Sequence, residues 1–226
     1  FVLKLWFFIV VLVALSISIF SLTSNFDKIV LFGTPLIALL LALPLAIIKI
    51  YQKNFLLHNL TELLIYPGIA VIFIPILNIF TIAALLIVIS VYDMWAVWHS
   101  GIMQKMAKYQ INKLKIFSGF FVPYYSQSVK NKIGKWKKTL KKSELAKKKV
   151  KISVAILGGG DIVFPIITAG VMLRTFGIYS SLLVILGATC GLAYLFFFAK
   201  KKKFYPAMPF ITAGIFLAML ISYLIF

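Results

Sequence analysis

Residues 152–173 read ISVAILGGGDIVFPIITAGVML, an apolar run that carries a single acidic side chain, Asp161. Residues 79–98 read IFTIAALLIVISVYDMWAVW and carry a second acid, Asp93. An apolar run of about 20 residues is long enough to cross the hydrocarbon core of a bilayer. A charge at that depth is costly, so an acidic residue inside such a run is a functional candidate by default. The two runs therefore predict a membrane protein whose chemistry depends on two carboxyl groups.

The composition agrees with a membrane protein. Of the 226 residues, 62% are hydrophobic and only 13% are charged, whereas soluble domains are about a quarter charged. We therefore expect an all-α polytopic membrane protein, with 1–226 forming a single membrane domain. About seven transmembrane helices can be drawn, at 5–22, 29–48, 63–77, 79–98, 152–173, 178–199 and 207–226.

The charges divide the chain into three parts. Residues 1–98 hold the N-terminal spans and Asp93, residues 99–151 form a basic loop with 15 lysines, and residues 152–226 hold the C-terminal spans. Of the 24 Lys and Arg residues, all but Lys28 and Arg174 fall on one side of this arrangement. The positive-inside rule then predicts that the N-terminus and the 99–151 loop are cytoplasmic and that the C-terminus is outside. A basic inner surface faces anionic lipid headgroups, which we expect as its partner in place of nucleic acid.

Several local features refine the spans. The third span is expected to be short and broken by Pro67, Gly68 and Pro75, since broken helices are tolerated at membrane depth where protein packs around them. The segment 206–209 contains two prolines, which predicts extended chain before the last helix. Gly187 and Gly191 have the spacing of close helix packing.

Polar features outside the apolar runs have ordinary interpretations. Asp27 lies in a short link, Glu62 at an expected helix start, and Glu144 in the lysine-rich loop. Residues 133–151 place Ile133, Trp136 and Leu140 at helical spacing among lysines, which predicts either an amphipathic helix on the inner leaflet or a solvated linker.

Asp93 and Asp161 are expected at similar membrane depth. Asp93 lies twelve residues before Lys105 and Asp161 ten residues after Lys151, which is about 18 Å and 15 Å of continuous helix. Their spans are joined by the 99–151 loop and run antiparallel, so the two side chains can meet. Carboxyl groups that share a proton are the chemistry of aspartic proteolysis.

Three short motifs accompany the acids. Tyr92 precedes Asp93, Gly158 and Gly160 precede Asp161, and Pro206-Ala207-Met208-Pro209 opens the last span. Three consecutive glycines at 158–160 weaken a helix, which predicts either tight helix packing or backbone that leaves helical geometry. In this order and placement, the motifs resemble those of the presenilin and signal peptide peptidase family, the GxGD-type intramembrane aspartyl proteases.

The resemblance runs from about Tyr92 to the C-terminus and is strongest to the prokaryotic homologues of presenilin. It implies a presenilin-like bundle in a prokaryotic plasma membrane, Asp93 and Asp161 as catalytic residues, and transmembrane segments of other proteins as substrates. It also implies that Gly158–Asp161 and Pro206–Pro209 flank the substrate. The family pattern has nine spans and Leu where this chain has Met208. We expect either that N-terminal spans are missing or that the enzyme is shorter.

Two other functions use the same features. A transporter or cation-leak channel would use Asp93 and Asp161 as a proton or ion relay. A structural assembly protein would pair them with helix backbone or with Tyr92. We expect no metal and no organic cofactor, because Cys190 is the only cysteine and His58 and His99 are far apart in sequence. The sequence does not identify accessory subunits.

Overall fold

The computed structural model describes residues 2–23, 30–31, 34–51, 55–100, 119–124, 153–198 and 205–225. Seven α-helices lie in these ranges: α1 Val2–Thr23, α2 Leu36–Tyr51, α3 Phe55–Phe73, α4 Ile79–Trp95, α5 Gly160–Phe176, α6 Ile178–Phe198 and α7 Met208–Ile225. By length and composition, α1, α3, α4, α6 and α7 provide five segments that can cross a membrane. Helix α2 is apolar but shorter, and α5 has 17 residues. The predicted fold class, an all-α polytopic membrane protein, is confirmed.

Large apolar side chains cover the outside of the helix bundle. Phe80 and Phe197 are 86% and 88% exposed, and many Leu, Ile and Val residues are more than half exposed. A soluble monomer rarely exposes continuous apolar surface of this kind. Lipid covers such a surface, so the protein is an integral membrane protein.

Two antiparallel hairpins interrupt the helices. Strand β1, Val30–Leu31, pairs with β2, Thr34–Pro35, just before α2. The prediction of a helix from residue 29 was therefore wrong at its start. Strand β3, Gly119–Tyr124, pairs with β4, Ser153–Gly158, and Gly119 lies opposite Gly158.

The β4 strand corrects the prediction of one continuous helix over 152–173. Six of its residues are extended, and the helix begins only at Gly160. A short apolar strand has the same composition as a buried helical turn, so periodicity does not separate the two. Pairing with β3, from the 99–151 loop, satisfies the backbone groups along one edge of β4.

Helix α3 corrects the prediction of a short, broken third span. It begins at Phe55, eight residues earlier than predicted, and continues through Pro67 and Gly68. A Cβ atom at Gly68 would lie 2.0 Å from the carbonyl oxygen of Ala14, so this glycine lets α1 and α3 approach closely. Pro75 lies in the turn between α3 and α4. Glu62 is consequently in the middle of a helix and not at its start.

The buried side chains form two apolar cores. One lies between α1, α2 and α3 and includes Leu15, Ala42 and Ile65. The other lies among α4–α7, includes Leu86 and Ile215, and also takes in Ala70 from the end of α3. Helix α3 therefore connects the first core to the second.

Helices α6 and α7 make the closest approach in the second core. A Cβ atom at Gly187 would lie 2.3 Å from the Gly214 carbonyl oxygen, and one at Gly191 would lie 2.3 Å from the Phe210 carbonyl oxygen. This is the close packing that the spacing of Gly187 and Gly191 predicts. The predicted amphipathic segment 133–151, together with Asp27 and Glu144, lies outside the described residues.

Candidate active site

Asp93 is held at the interface of α4 and α7. Its side chain is in the last turn of α4 and only 7% exposed. The backbone N–H of Met208 donates to Asp93 Oδ2 at 3.1 Å, and the N–H of Ala207 donates to the same carboxyl group. Two consecutive backbone donors therefore fix the position of this acid.

The proline motif accounts for these donors. Proline has no N–H, so within Pro206–Pro209 only Ala207 and Met208 can donate, and both donate to Asp93. Helix α7 begins at Met208, and free N–H groups at a helix N-terminus are a favourable place for a negative charge. The segment was predicted to be extended throughout. Instead, Met208 and Pro209 are already helical, because a proline in the first turn loses no helical hydrogen bond.

A second polar contact joins the same two helices. Ser90 Oγ donates to Thr212 Oγ1 at 2.7 Å, and both side chains are buried. Ser90 precedes Asp93 by three residues and Thr212 follows Met208 by four, so this contact lies about one helical turn from the carboxylate. The two contacts together set the register of α4 against α7.

Asp161 is placed by the turn between β4 and α5. It lies in the first turn of α5, and its carboxyl group accepts a hydrogen bond from the N–H of Gly158. A Cβ atom at Gly158 would lie 3.1 Å from Asp161 Oδ2, which is tighter than an ordinary contact. A Cβ atom at Gly160 would meet only the Phe164 ring, at 3.6 Å. The close approach of the Asp161 carboxylate therefore requires glycine at position 158. A side chain at position 160 would make only an ordinary contact with the Phe164 ring.

The structure brings the two acids together. Asp93 and Asp161, from α4 and α5, are close enough to interact electrostatically. Among the described residues, the ion pairs involve Glu62 and neither of these acids. The site therefore consists of two acidic groups with backbone N–H donors beside each of them.

A pocket of about 240 Å³ leads to one of the two acids. It lies between α5, α6 and α7, with Asp161 in its lining beside apolar residues such as Ile166, Leu192 and Ile211. Asp161 therefore lies at the wall of a mostly apolar pocket.

The whole chain, residues 1–226, matches the family model described as signal-peptide peptidase, presenilin aspartyl protease. The chain belongs to this family. No curated protein matches the chain. The family is one of intramembrane aspartyl proteases, so the resemblance inferred from the motifs is confirmed at the level of the family.

The family motifs are not equally close to the two acids. Gly158 and the Ala207–Met208 pair contact them directly, and Gly160 begins the helix that carries Asp161. The Tyr92 ring is 59% exposed and lies 6.3 Å from the Trp95 ring on the same helix. The structure thus places the Tyr92 side chain on the outer face of α4.

Sequence reasoning missed a third buried acid. Glu62 is fully buried in α3 and forms an ion pair with Lys49 of α2. The available signal was a lysine and a glutamate thirteen residues apart, each at an end of an apolar segment. That signal is weak, because surface residues give the same pattern.

Proposed function

We propose that this protein hydrolyses peptide bonds within transmembrane segments of other proteins, with Asp93 and Asp161 as a general acid and general base acting on water. The observation that carries the proposal is the electrostatic interaction of two acids from different helices, with Asp93 bonded to the Ala207–Met208 backbone and Asp161 to the Gly158 backbone. Two acids that interact electrostatically do not both ionise readily, so we expect the pair to hold one proton between them.

The chemistry follows from that shared proton. The protonated carboxyl group donates to the oxygen of the scissile carbonyl, while the ionised one takes a proton from the attacking water. The carbonyl carbon becomes tetrahedral, and return of a proton to the leaving nitrogen breaks the C–N bond. Backbone donors at Asp93 and Asp161 would hold both groups in place during the cycle.

The substrate has to be extended where it is cut, because the carbonyl groups of a helix are already hydrogen-bonded. Strand β4 offers a template: β3 pairs with one of its edges, and no other strand among the described residues pairs with it. An exposed edge binds an added strand through backbone hydrogen bonds. Since β4 ends at Gly158, three residues before Asp161, a peptide added to β4 would run toward the two acids.

The orientation of the protein in the membrane and its lipid contacts are also part of this proposal. Lysine counting places the N-terminus and the 99–151 loop in the cytoplasm, where the loop would contact anionic headgroups. Apart from His99, Ser100 and β3, that loop lies outside the described residues. Substrates would enter the site from the bilayer, through the apolar pocket beside Asp161.

The test is cleavage of a single-span substrate by purified protein in liposomes. Asp93→Ala and Asp161→Ala are each expected to abolish cleavage, while Ser222→Ala, a buried change in α7 away from the two acids, keeps it. Full activity in either Asp variant would refute the proposal. Ion flux that depends on both acids, in liposomes that show no proteolysis, would instead favour the relay function.

A further inference from the structure

A buried polar cluster lies in the first core, outside the proposed active site. Lys49 Nζ forms an ion pair with Glu62 Oε1, and His58 Nε2 lies 3.6 Å from the same oxygen. Lys49 and Glu62 are 8% and 0% exposed, and the Phe7 ring lies 6.0 Å from Lys49 Nζ. Replacing a buried ion pair by apolar residues is often neutral or stabilising, so stability alone does not explain this cluster.

The cluster contacts the β3–β4 hairpin through His58. His58 Nε2 donates to the carbonyl oxygen of Gly119, the first residue of β3, at 3.0 Å. A carbonyl and a carboxylate can only accept, so both neighbours of Nε2 favour the tautomer with its proton on that nitrogen. Glu62 thereby keeps His58 as a donor.

Gly119 is suited to this contact. Its φ angle is 149°, a backbone conformation that residues with a side chain rarely adopt. One residue further on, the Phe120 ring packs edge-on against Tyr66 of α3, with ring centroids 5.6 Å apart. A hydrogen bond and an aromatic contact therefore hold the start of β3 against α3.

The start of β3 is also the part of the hairpin nearest Asp161. Gly119 lies opposite Gly158, whose N–H donates to the Asp161 carboxyl group. A series of neighbouring residues thus connects the buried cluster with the proposed active site, in the order Glu62, His58, Gly119, Gly158 and Asp161.

We propose that His58, oriented by the Lys49–Glu62 pair, is a positioning residue that fixes the β3–β4 hairpin on α3 and so places Asp161 for reaction. Without the His58 N–H, Gly119 at the start of β3 is no longer bonded to α3. Gly158, which lies opposite Gly119 on β4, is then held less firmly. The effect on hairpin position is independent of the reaction, whereas the effect on activity rests on the proposed function.

Disulfide trapping measures how well the two strands of the hairpin stay paired. Val122 and Ala155 are opposite each other in the β3–β4 register. Facing residues of an antiparallel pair have Cα atoms about 4.5–5.5 Å apart, within the range of a disulfide. Val122→Cys and Ala155→Cys would be introduced with Cys190→Ser, which removes the single native cysteine. The yield of the 122–155 disulfide at a fixed time under mild oxidant, in full-length protein in liposomes, reports how well β3 and β4 stay paired, which loss of the His58 contact at Gly119 is proposed to weaken.

Three substitutions at His58 distinguish the effect of its N–H donor from the effect of its size. His58→Leu removes the donor, His58→Asn has an amide too short to reach Gly119, and His58→Gln places an N–H near the position of Nε2. We expect the Leu and Asn variants to lower the disulfide yield at least threefold and the Gln variant to stay within 1.5-fold of the parent. Ser16→Ala, which removes a buried hydroxyl bonded within α1, is the matched control and is expected to match the parent.

Activity is measured in the same His58 variants without the added cysteines. We expect kcat to fall about tenfold in the Leu and Asn variants, with KM changed less than threefold and with recovery in the Gln variant. Equal disulfide yields in the Asn and Gln variants would overturn the inference, even if the Leu variant does not fold. A hairpin that loosens as predicted in a protein without proteolytic activity would support the inference while refuting the proposed function.

Discussion

The two cores of this molecule both bury carboxylates, but they surround them differently. In the α1–α3 core, Glu62 faces the ammonium group of Lys49, so the pair is neutral as a unit. In the α4–α7 core, Asp93 interacts electrostatically with Asp161, and the donors that reach them are backbone N–H groups. A neutral pair can be kept for architecture alone, whereas two acids facing each other oppose burial of charge.

This difference assigns a structural role to Glu62 and a chemical role to Asp93 and Asp161. Burial inside the protein does not distinguish them, since Glu62 is 0% exposed and Asp93 only 7% exposed. What distinguishes them is the partner: a cation compensates Glu62, and a second acid faces Asp93. The predictions below use matched substitutions to test that distinction.

The largest expected effect is the contrast between removing Glu62 and removing a member of the acid pair. Glu62→Leu leaves Lys49 as an unpaired buried charge and is expected to lower the free energy of unfolding by about 3–5 kcal/mol. Asp161→Asn replaces one acid of the pair by a neutral amide of the same size, so we expect it not to lower that free energy but to abolish proteolysis. Unfolding titrations in detergent micelles measure both.

The double variant Lys49→Met, Glu62→Leu is the control for this contrast. It replaces the whole pair by apolar residues and is expected to recover most of the stability lost in Glu62→Leu. A double variant as unstable as the single one, or an Asp161→Asn variant as unstable as Glu62→Leu, would remove the distinction between the two cores.

A smaller effect is expected from the two glycines before Asp161. Gly158→Ala places a methyl group about 3.1 Å from the Asp161 carboxylate and is expected to lower kcat about tenfold. Gly160→Ala meets only the Phe164 ring at ordinary distance and is expected to stay within threefold of wild type. Initial rates over a range of substrate concentrations measure both changes, and a larger loss at Gly160 would contradict the geometry of the turn.

The smallest effect is expected at Met208. Its contact with Asp93 is made by the backbone N–H, so Met208→Leu keeps the donor and restores the family residue. The swap conserves volume, and its cost is expected to be below about 1.5 kcal/mol. Cleavage within twofold of wild type is the expected result, whereas loss of activity would assign the Met208 side chain a role of its own.

The C-terminal helices were the most predictable part of the fold. Helices α6 and α7 end within about a residue of their predicted bounds, because each is one uninterrupted apolar run of spanning length. The start of α3 was not predictable in the same way. Its N-terminal half carries His58 and Glu62, whose partners Gly119 and Lys49 come from other elements. A polar segment is read as a loop until those partners are known.

The candidate site was likewise predictable only in part. The positions of Asp93 and Asp161 in apolar runs identified both acids, and the structure brings them together. The depth estimate for Asp161 nevertheless assumed helix before it, where β4 is extended. The donors at Ala207 and Met208 could not be read from sequence, because they depend on α7 beginning beside the last turn of α4.

The most direct test of the acid pair is binding of a peptide transition-state mimic whose central hydroxyl group replaces the scissile carbonyl. We expect tight binding to the wild-type protein in micelles, with one mimic per chain. A loss of at least a hundredfold in affinity is expected in both Asp93→Asn and Asp161→Asn, since the hydroxyl group would bind between the two carboxyl groups. Equal affinity in wild type and either variant would contradict a shared catalytic site for these residues.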